Sequence, residues 1–268
     1  MQTLRNTFLI ATTEISRTLI TRRGLISLGA FALLWLLILT TIIRIAPALV
    51  NSSGTVGSML GSKTISSLAR WRVEEFGVHW FIALYVFPVC CVIFASDQTA
   101  SDKTRGTLKL LTLHTSRTSL FCGRFAGLMI VQGIVIALTL ISTLVVVAIR
   151  EPALITHALS NAGFIWVNLM IVIAPYTALM AVISLLAKSG SQAISYAVYL
   201  WVLLLFAIYM LAKYFPDATL LKAVFPGSQI SDLVALYDWS SLSTILIPVV
   251  QTLVFLACGL FVIHRIDL

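Results

Sequence analysis

Long apolar runs dominate the hydrophobic pattern of this chain. They carry almost no charge and alternate with short stretches that hold most of the Lys, Arg, Asp and Glu residues. A helix of about 20 apolar residues crosses the hydrocarbon core of a bilayer. The pattern therefore predicts six membrane spans, at about 24–46, 78–96, 121–149, 164–187, 191–212 and 244–263.

The type of span follows from backbone hydrogen bonding. Inside hydrocarbon the backbone must satisfy its own polar groups, and these runs lack the polar–apolar alternation of a transmembrane barrel. Of the 268 residues, 59% are hydrophobic and 10% are charged, whereas about 25% are charged in soluble domains. We therefore predict an all-α integral membrane protein, with one transmembrane domain over residues 1–268.

The chain before the first span has a different pattern. Apolar residues recur there at helical spacing, and charged residues lie on the other faces. This pattern is typical of an amphipathic helix that lies in the membrane interface, and we assign it to residues 2–22. The apolar positions are Leu4, Phe8, Ala11, Ile15 and Leu19.

The basic residues indicate the orientation. With the N-terminus inside, 11 Lys and Arg residues lie on the cytoplasmic side and 7 lie outside. Cytoplasmic loops carry an excess of Lys and Arg, so both termini are predicted to be cytoplasmic. The net charge of +8 thus reflects topology, and no nucleic-acid partner is expected.

No catalytic, metal or cofactor site is predicted in this chain. The four cysteines lack a CxxC spacing, and the four histidines lie at span ends or in loops. Residues 57–64 resemble a phosphate-binding loop only superficially, because Ser62 stands where the motif needs glycine. The outer stretch 213–243 contains Pro216, Pro226 and Gly227 and is expected to dip back into the membrane as broken helices.

The loop between the second and third spans carries a family resemblance. It begins with acidic residues, continues through Gly106, Thr107 and Leu108 to further leucines, and reaches Arg117 and then Arg124. This order resembles the corresponding segment of type-2 ABC-transporter permeases. Thr115 stands where that family has proline, and Arg124 stands where it has lysine.

Two weaker features support the resemblance. Residues 188–191 are similar to the tight polar turn between the fourth and fifth spans of such permeases. Residues 225–230 are similar to a segment of the permeases that serve nitrous oxide reductase maturation, although Phe225 replaces their asparagine.

The resemblance implies a transmembrane subunit of an ABC exporter in the bacterial inner membrane. It implies a permease dimer, two separately encoded cytoplasmic ATPase subunits that bind ATP and Mg, and room for a periplasmic partner. The implied ATPase-coupling residues are Asp97, Asp102, Lys103, Arg105, Gly106, Thr107, Leu108, Leu110, Leu111 and Arg117.

The physical character of the loop agrees with that role. Leu108 and Leu111 would share one face of a short helix that begins after Gly106. The basic residues Lys103, Arg105 and Arg117 would surround this face, as the polar rim surrounds an interface anchor. A basic connector without a partner remains the alternative for the loop, and a membrane anchor that transports nothing remains the alternative for the chain.

Overall fold

The protein was studied as a computed structural model that describes residues 2–44, 46, 67–214, 225–234, 236 and 239–265. Residues 57–64 and most of the predicted outer stretch 47–77 lie outside this set. The described residues contain no β-strand, so the all-α prediction is confirmed. The helices are α1 (Gln2–Ile20), α2 (Arg22–Ile38, extended by a π-helical turn, Leu39–Ile43), α3 (Glu74–Ala95), α4 (Ala100–Thr104), α5 (Thr107–His114), α6 (Arg117–Arg150), α7 (Ile155–Leu186, preceded by a 3₁₀ turn, Pro152–Leu154), α8 (Gly190–Tyr214), α9 (Ile230–Val234) and α10 (Leu246–Arg265), with a further 3₁₀ segment, Trp239–Thr244.

Six helical stretches within the described residues are long and apolar enough to cross a membrane. They are Gly24–Ile43, Glu74–Thr104, Arg117–Arg150, Pro152–Leu186, Gly190–Met210 and Leu246–Arg265. Several extend beyond the charge-free runs of the sequence. The stretch that contains α7 begins at Pro152, whereas the predicted span began at 164. Proline is well suited to the first turn of a helix. The polar residues His157 and Asn161 lie in the helical turns that follow.

The spans divide into a central and a peripheral set. In the most apolar window of each span, 67% of α7, 61% of the α3 stretch and 50% of α6 are buried. The corresponding shares are 22% for α2, 22% for α10 and 11% for α8. The core therefore lies between α3, α6 and α7, and the other three spans leave most of their apolar surface uncovered.

Helix α1 packs along the first half of α6. Gly123 and Gly127 lie one helical turn apart on α6, at the contact. A Cβ atom at Gly127 would lie 2.8 Å from the Ala11 carbonyl oxygen, and one at Gly123 would lie 2.8 Å from Ile10 Cβ. Helices approach this closely only where small residues line the interface. The helical part of the N-terminal prediction is therefore observed, while its position in the membrane interface stays a prediction.

The described part of the segment 225–244, which we call the returning segment, packs against the bundle. Four hydrogen bonds join it to the spans: Tyr176 Oη to Pro226 O at 2.9 Å, Gln251 Nε2 to Phe225 O at 3.2 Å, Trp80 Nε1 to Leu233 O at 3.1 Å, and Ser241 Oγ to Asn168 Oδ1 at 2.7 Å. Tyr176 lies ten residues before Leu186, the last residue of α7, or about 15 Å along the helix. The turn at Pro226 thus contacts α7 well inside the length of that helix, while the dip of this stretch into the membrane stays a prediction.

Candidate functional site

The loop between the second and third spans folds into two short helices, α4 and α5. The Asp97 carboxylate accepts hydrogen bonds from the backbone N–H of Ser101 at 3.1 Å and from the Ser101 hydroxyl. The Asp97 side chain thus satisfies one backbone donor in the first turn of α4. The loop is thus a folded element whose side chains have defined positions.

Gly106 separates the two short helices and has φ +73°. This left-handed conformation costs a residue with a Cβ atom about 1 to 2 kcal/mol, whereas glycine adopts it freely. The glycine therefore provides the sharp turn into α5, as expected from the sequence.

Asp102 is the centre of the site. Its Oδ2 atom accepts from Arg17 Nη1 at 2.9 Å and from Arg124 Nη2 at 2.5 Å. Thr107 donates to the Asp102 carbonyl oxygen at 3.2 Å and to its Oδ1 atom at 3.3 Å. One carboxylate therefore joins α1, α4, the start of α5, and α6.

Arg124 has a second partner, and one further charged residue, Glu14, completes the network. Arg124 is 4% exposed and also donates to the Gln98 carbonyl oxygen. Glu14 is 6% exposed, and its carboxylate lies 3.9 Å from Arg17. Burial raises the pKa of Glu14 above its ordinary value, although Arg124 and Arg17 act in the opposite direction. Two acidic side chains and two guanidinium groups thus lie together, with Glu14 and Arg124 buried and Arg17 and Asp102 partly exposed.

Lys103 and Thr104 attach α4 to the end of α7. Lys103 Nζ donates to the Leu185 carbonyl oxygen at 2.9 Å, and Thr104 Oγ1 donates to the Lys188 carbonyl oxygen at 2.5 Å. The last carbonyl groups of a helix lack intrahelical partners, and a cation is favourable there. Lys103 therefore stabilises the end of α7 instead of standing free at the rim of a docking surface.

Arg117 has a similar role at another helix end. Its Nη1 atom donates to the Ile263 carbonyl oxygen at 2.9 Å and to the His264 carbonyl oxygen at 3.3 Å. The structure thus places Arg117 against the end of α10. Of the three basic residues that were expected to surround one face, Arg105 remains exposed.

The leucines of α5 are divided between the interior and the surface. Leu108 is 2% exposed and packs inside the chain, so the expected pairing of Leu108 with Leu111 on the docking face does not occur. Leu110, Leu111 and Leu113 are 63%, 39% and 73% exposed. The exposed apolar surface of α5, which we call the leucine face, therefore consists of Leu110, Leu111 and Leu113.

Sequence reasoning did not include Glu14, Arg17 and Arg124 in the site. A signal was present, because Glu14 is the single acidic residue of α1 and Arg124 directly precedes a charge-free run of α6. Arg17 and Asp102 are 85 positions apart, so their pairing depends on how α1 packs against α6.

Within the described residues, no group of three His, Cys, Asp or Glu side chains is placed to hold a metal ion. The site supplies ion pairs, helix ends and an apolar face, which are the components of a mechanical contact.

A family model described as ABC-2 family transporter protein matches residues 8–268. The chain belongs to the ABC-2 transporter family. The match covers all six spans. It also covers most of α1, the loop helices α4 and α5, and the returning segment. No curated protein matches the sequence, and the finer resemblance to permeases for nitrous oxide reductase maturation stays a prediction.

Proposed function

We propose that this ABC-2 family protein is the transmembrane subunit of an ABC exporter, and that separately encoded cytoplasmic ATPase subunits move it. The leucine face of α5 carries the proposal. It is an exposed apolar surface on a short helix. The first residue of this helix, Thr107, is hydrogen-bonded to Asp102, which binds other helices of the bundle. ATP and Mg would be bound by the partner, and the permease would contribute no catalytic residue.

The attachments of α4 and α5 explain how force would pass into the membrane. Asp102 joins this element to α1 and α6, and Lys103 joins it to α7. A partner that pushes on α5 therefore acts on two of the three central spans. A loop that served only as a basic connector would not need these buried contacts.

The uncovered spans support a permease dimer. Helix α8 exposes large apolar residues along its length, including Tyr199, Leu203 and Phe206. A second copy would bury part of this surface, and the rest would face lipid. We expect the purified protein to have the mass of two chains per particle; a single chain at all concentrations would contradict the dimer.

The substrate class is proposed from the distribution of charge. Within the central spans, the described ion pairs lie near the ends: Arg124 pairs with Asp102, and Arg150 pairs with Glu75 at 2.6 Å. Carriers of ions and protons usually keep ionisable groups near the membrane centre. We therefore propose an apolar, amphipathic or large substrate; a proton-coupled current through the purified protein would contradict this.

The experiment tests the leucine face directly. Leu110→Asp and Leu113→Asp place a charge on exposed positions, so the fold should remain intact. An interface anchor contributes about 2 kcal/mol or more, which corresponds to roughly 30-fold in affinity. We expect each variant to lose the ATPase during purification from the native host and to lose ATP hydrolysis in the purified complex.

Ser191→Asp is the matched control. Ser191 is exposed in the first turn of α8, where a negative charge is favourable. This variant should retain the ATPase. If the leucine variants also retain it, the docking face is wrong; if no ATPase accompanies the native protein but another partner does, the chain is a membrane anchor.

A further inference from the structure

An open cavity of about 630 Å³ lies where α1 meets α2, beside the end of α3. It is lined by charged residues from α1, α2 and the loop, and by apolar residues from α2 and α3. The leucine face does not line this cavity.

Aromatic contacts position the walls. Phe31 of α2 packs against Phe87 and Phe94 of α3, with ring centroids 5.6 Å and 6.1 Å apart. The cavity begins beside Phe94 and reaches Arg22 at the start of α2. The cavity therefore extends from apolar residues of α3 to the basic start of α2.

The basic end has unused hydrogen-bond donors. Arg22 and Arg105 are exposed, and neither side chain has a hydrogen-bond or ion-pair partner among the described residues. Arg17 also lines the cavity, but it binds Asp102. The acidic residues of the lining are Glu14, which lies 3.9 Å from Arg17, and Asp97, which accepts hydrogen bonds from Ser101. Both acidic groups thus have partners, and the two unpaired guanidinium groups favour an anion.

The other wall is apolar. Ile26 is 62% exposed and Ile93 is 51% exposed, and both line the cavity together with Phe94. A small free anion would contact the arginines and leave this wall uncovered. A molecule that joins a phosphate to a hydrocarbon chain matches both ends, and basic pockets beside membrane spans are known to bind such headgroups.

We propose that this cavity binds one anionic glycerophospholipid of the cytoplasmic leaflet. Arg22 and Arg105 bind its phosphate, and an acyl chain lies against Ile26, Ile93 and Phe94. The proposal rests on the predicted orientation of α2 and is independent of the ATPase.

Native mass spectrometry of the delipidated full chain, titrated with phosphatidylglycerol, tests the proposal. We expect one tightly retained phosphatidylglycerol per chain and weaker retention of zwitterionic phosphatidylcholine. Each arginine near a membrane surface contributes about fivefold in affinity for anionic lipid. Arg22→Gln and Arg105→Gln should each lower the affinity for phosphatidylglycerol by about that factor.

Two further variants distinguish charge in the cavity from charge elsewhere, and the apolar contact from the charge contact. Lys109→Gln removes a charge from an exposed residue outside the cavity lining, and its affinity should equal that of the native chain. Ile93→Trp fills the apolar wall without changing the charge and should also weaken retention. Unchanged binding in both arginine variants, or equal retention of phosphatidylcholine, would overturn the proposal. Displacement of phosphatidylglycerol by millimolar inorganic phosphate would identify a site for free anions instead.

Discussion

At the residue scale, Asp102 is the side chain on which the contacts of the candidate site depend most. The side chain of its partner Arg124 is 5% exposed and that of Arg17 is 32% exposed. When one member of a buried ion pair is removed, the remaining charge has no partner, and this loss costs more than the pair contributes to stability. Asp102 should therefore be more sensitive to substitution than either arginine.

Asp102→Asn tests this ranking. Removal of a buried partner costs about 3 to 5 kcal/mol, and we expect about 2 to 3 kcal/mol here because Asp102 and Arg17 are partly exposed. Arg17→Gln should cost less, because Arg124 still neutralises Asp102. Thermal unfolding in detergent and hydrogen exchange along α1 measure both effects; equal melting temperatures for the two variants would contradict the ranking.

Gly106 gives a second residue-scale prediction. Gly106→Ala should cost about 1 to 2 kcal/mol because its φ is positive, and it should reduce ATPase binding because α5 would be displaced. Apart from its chain neighbours, no described residue has an atom within 4 Å of an added Cβ at this position, so the expected loss comes from backbone strain. Gly29→Ala is the control, because Gly29 lies in regular helix with equal space and alanine favours helix. A loss of stability in Gly29→Ala equal to that in Gly106→Ala would contradict the interpretation.

At the element scale, the contact between α1 and α6 determines whether the site is assembled. Arg17 and Glu14 reach the network only if α1 lies close to α6, and Gly123 and Gly127 make that distance possible. The close packing of the two helices is therefore as important to the site as its charges.

Gly127→Ala tests this dependence. The added methyl group would lie 2.8 Å from the Ala11 carbonyl oxygen and 2.9 Å from Glu14 Cβ, so α1 must move. Overpacking of this kind costs about 1 to 3 kcal/mol, and faster hydrogen exchange in α1 should accompany it. At Gly163, no other described part of the chain lies within 4 Å of an added Cβ, so Gly163→Ala should leave exchange in α1 unchanged.

The same elements show what the sequence can predict. Each span is specified by about 20 local residues and the bilayer, so all six were predicted. Leu108 was placed on the docking face because its spacing to Leu111 fits a surface stripe, but burial depends on the neighbours of α5, which a single sequence does not specify. The contacts of Lys103 and Arg117 with helix ends were not predicted for the same reason, because those helix ends are distant in sequence.

At the scale of the whole molecule, the contacts bring one set of ends together. Asp102, Lys103 and Arg117 connect α1, α4, α6, α7 and α10 at a single end of the bundle. Arg17, Arg124 and Lys188, which were among the 11 residues counted as cytoplasmic, lie at this end as well. These contacts are the same whichever side of the membrane this end of the bundle faces. The orientation of the chain is therefore tested separately.

Reporter fusions give that measurement. A green fluorescent protein fused after Leu268 should fluoresce, and alkaline phosphatase at the same position should be inactive, because the C-terminus is predicted to be cytoplasmic. The same reporters fused after Arg150, in a truncated chain, should give the opposite result. An active phosphatase at the C-terminus would reverse the proposed topology and remove the cytoplasmic docking face.

Helix α6 runs without interruption for 34 residues, and such a helix is about 51 Å long. Arg124 holds it near one end and Arg150 holds it at the other. A continuous helix of this kind behaves mechanically as a stiff rod, so a tilt of about 5° about one end displaces the other by about 4 Å. Movement at Asp102 would therefore reach the Glu75–Arg150 pair on the far side of the membrane through a single element, without a relay of intermediate side chains.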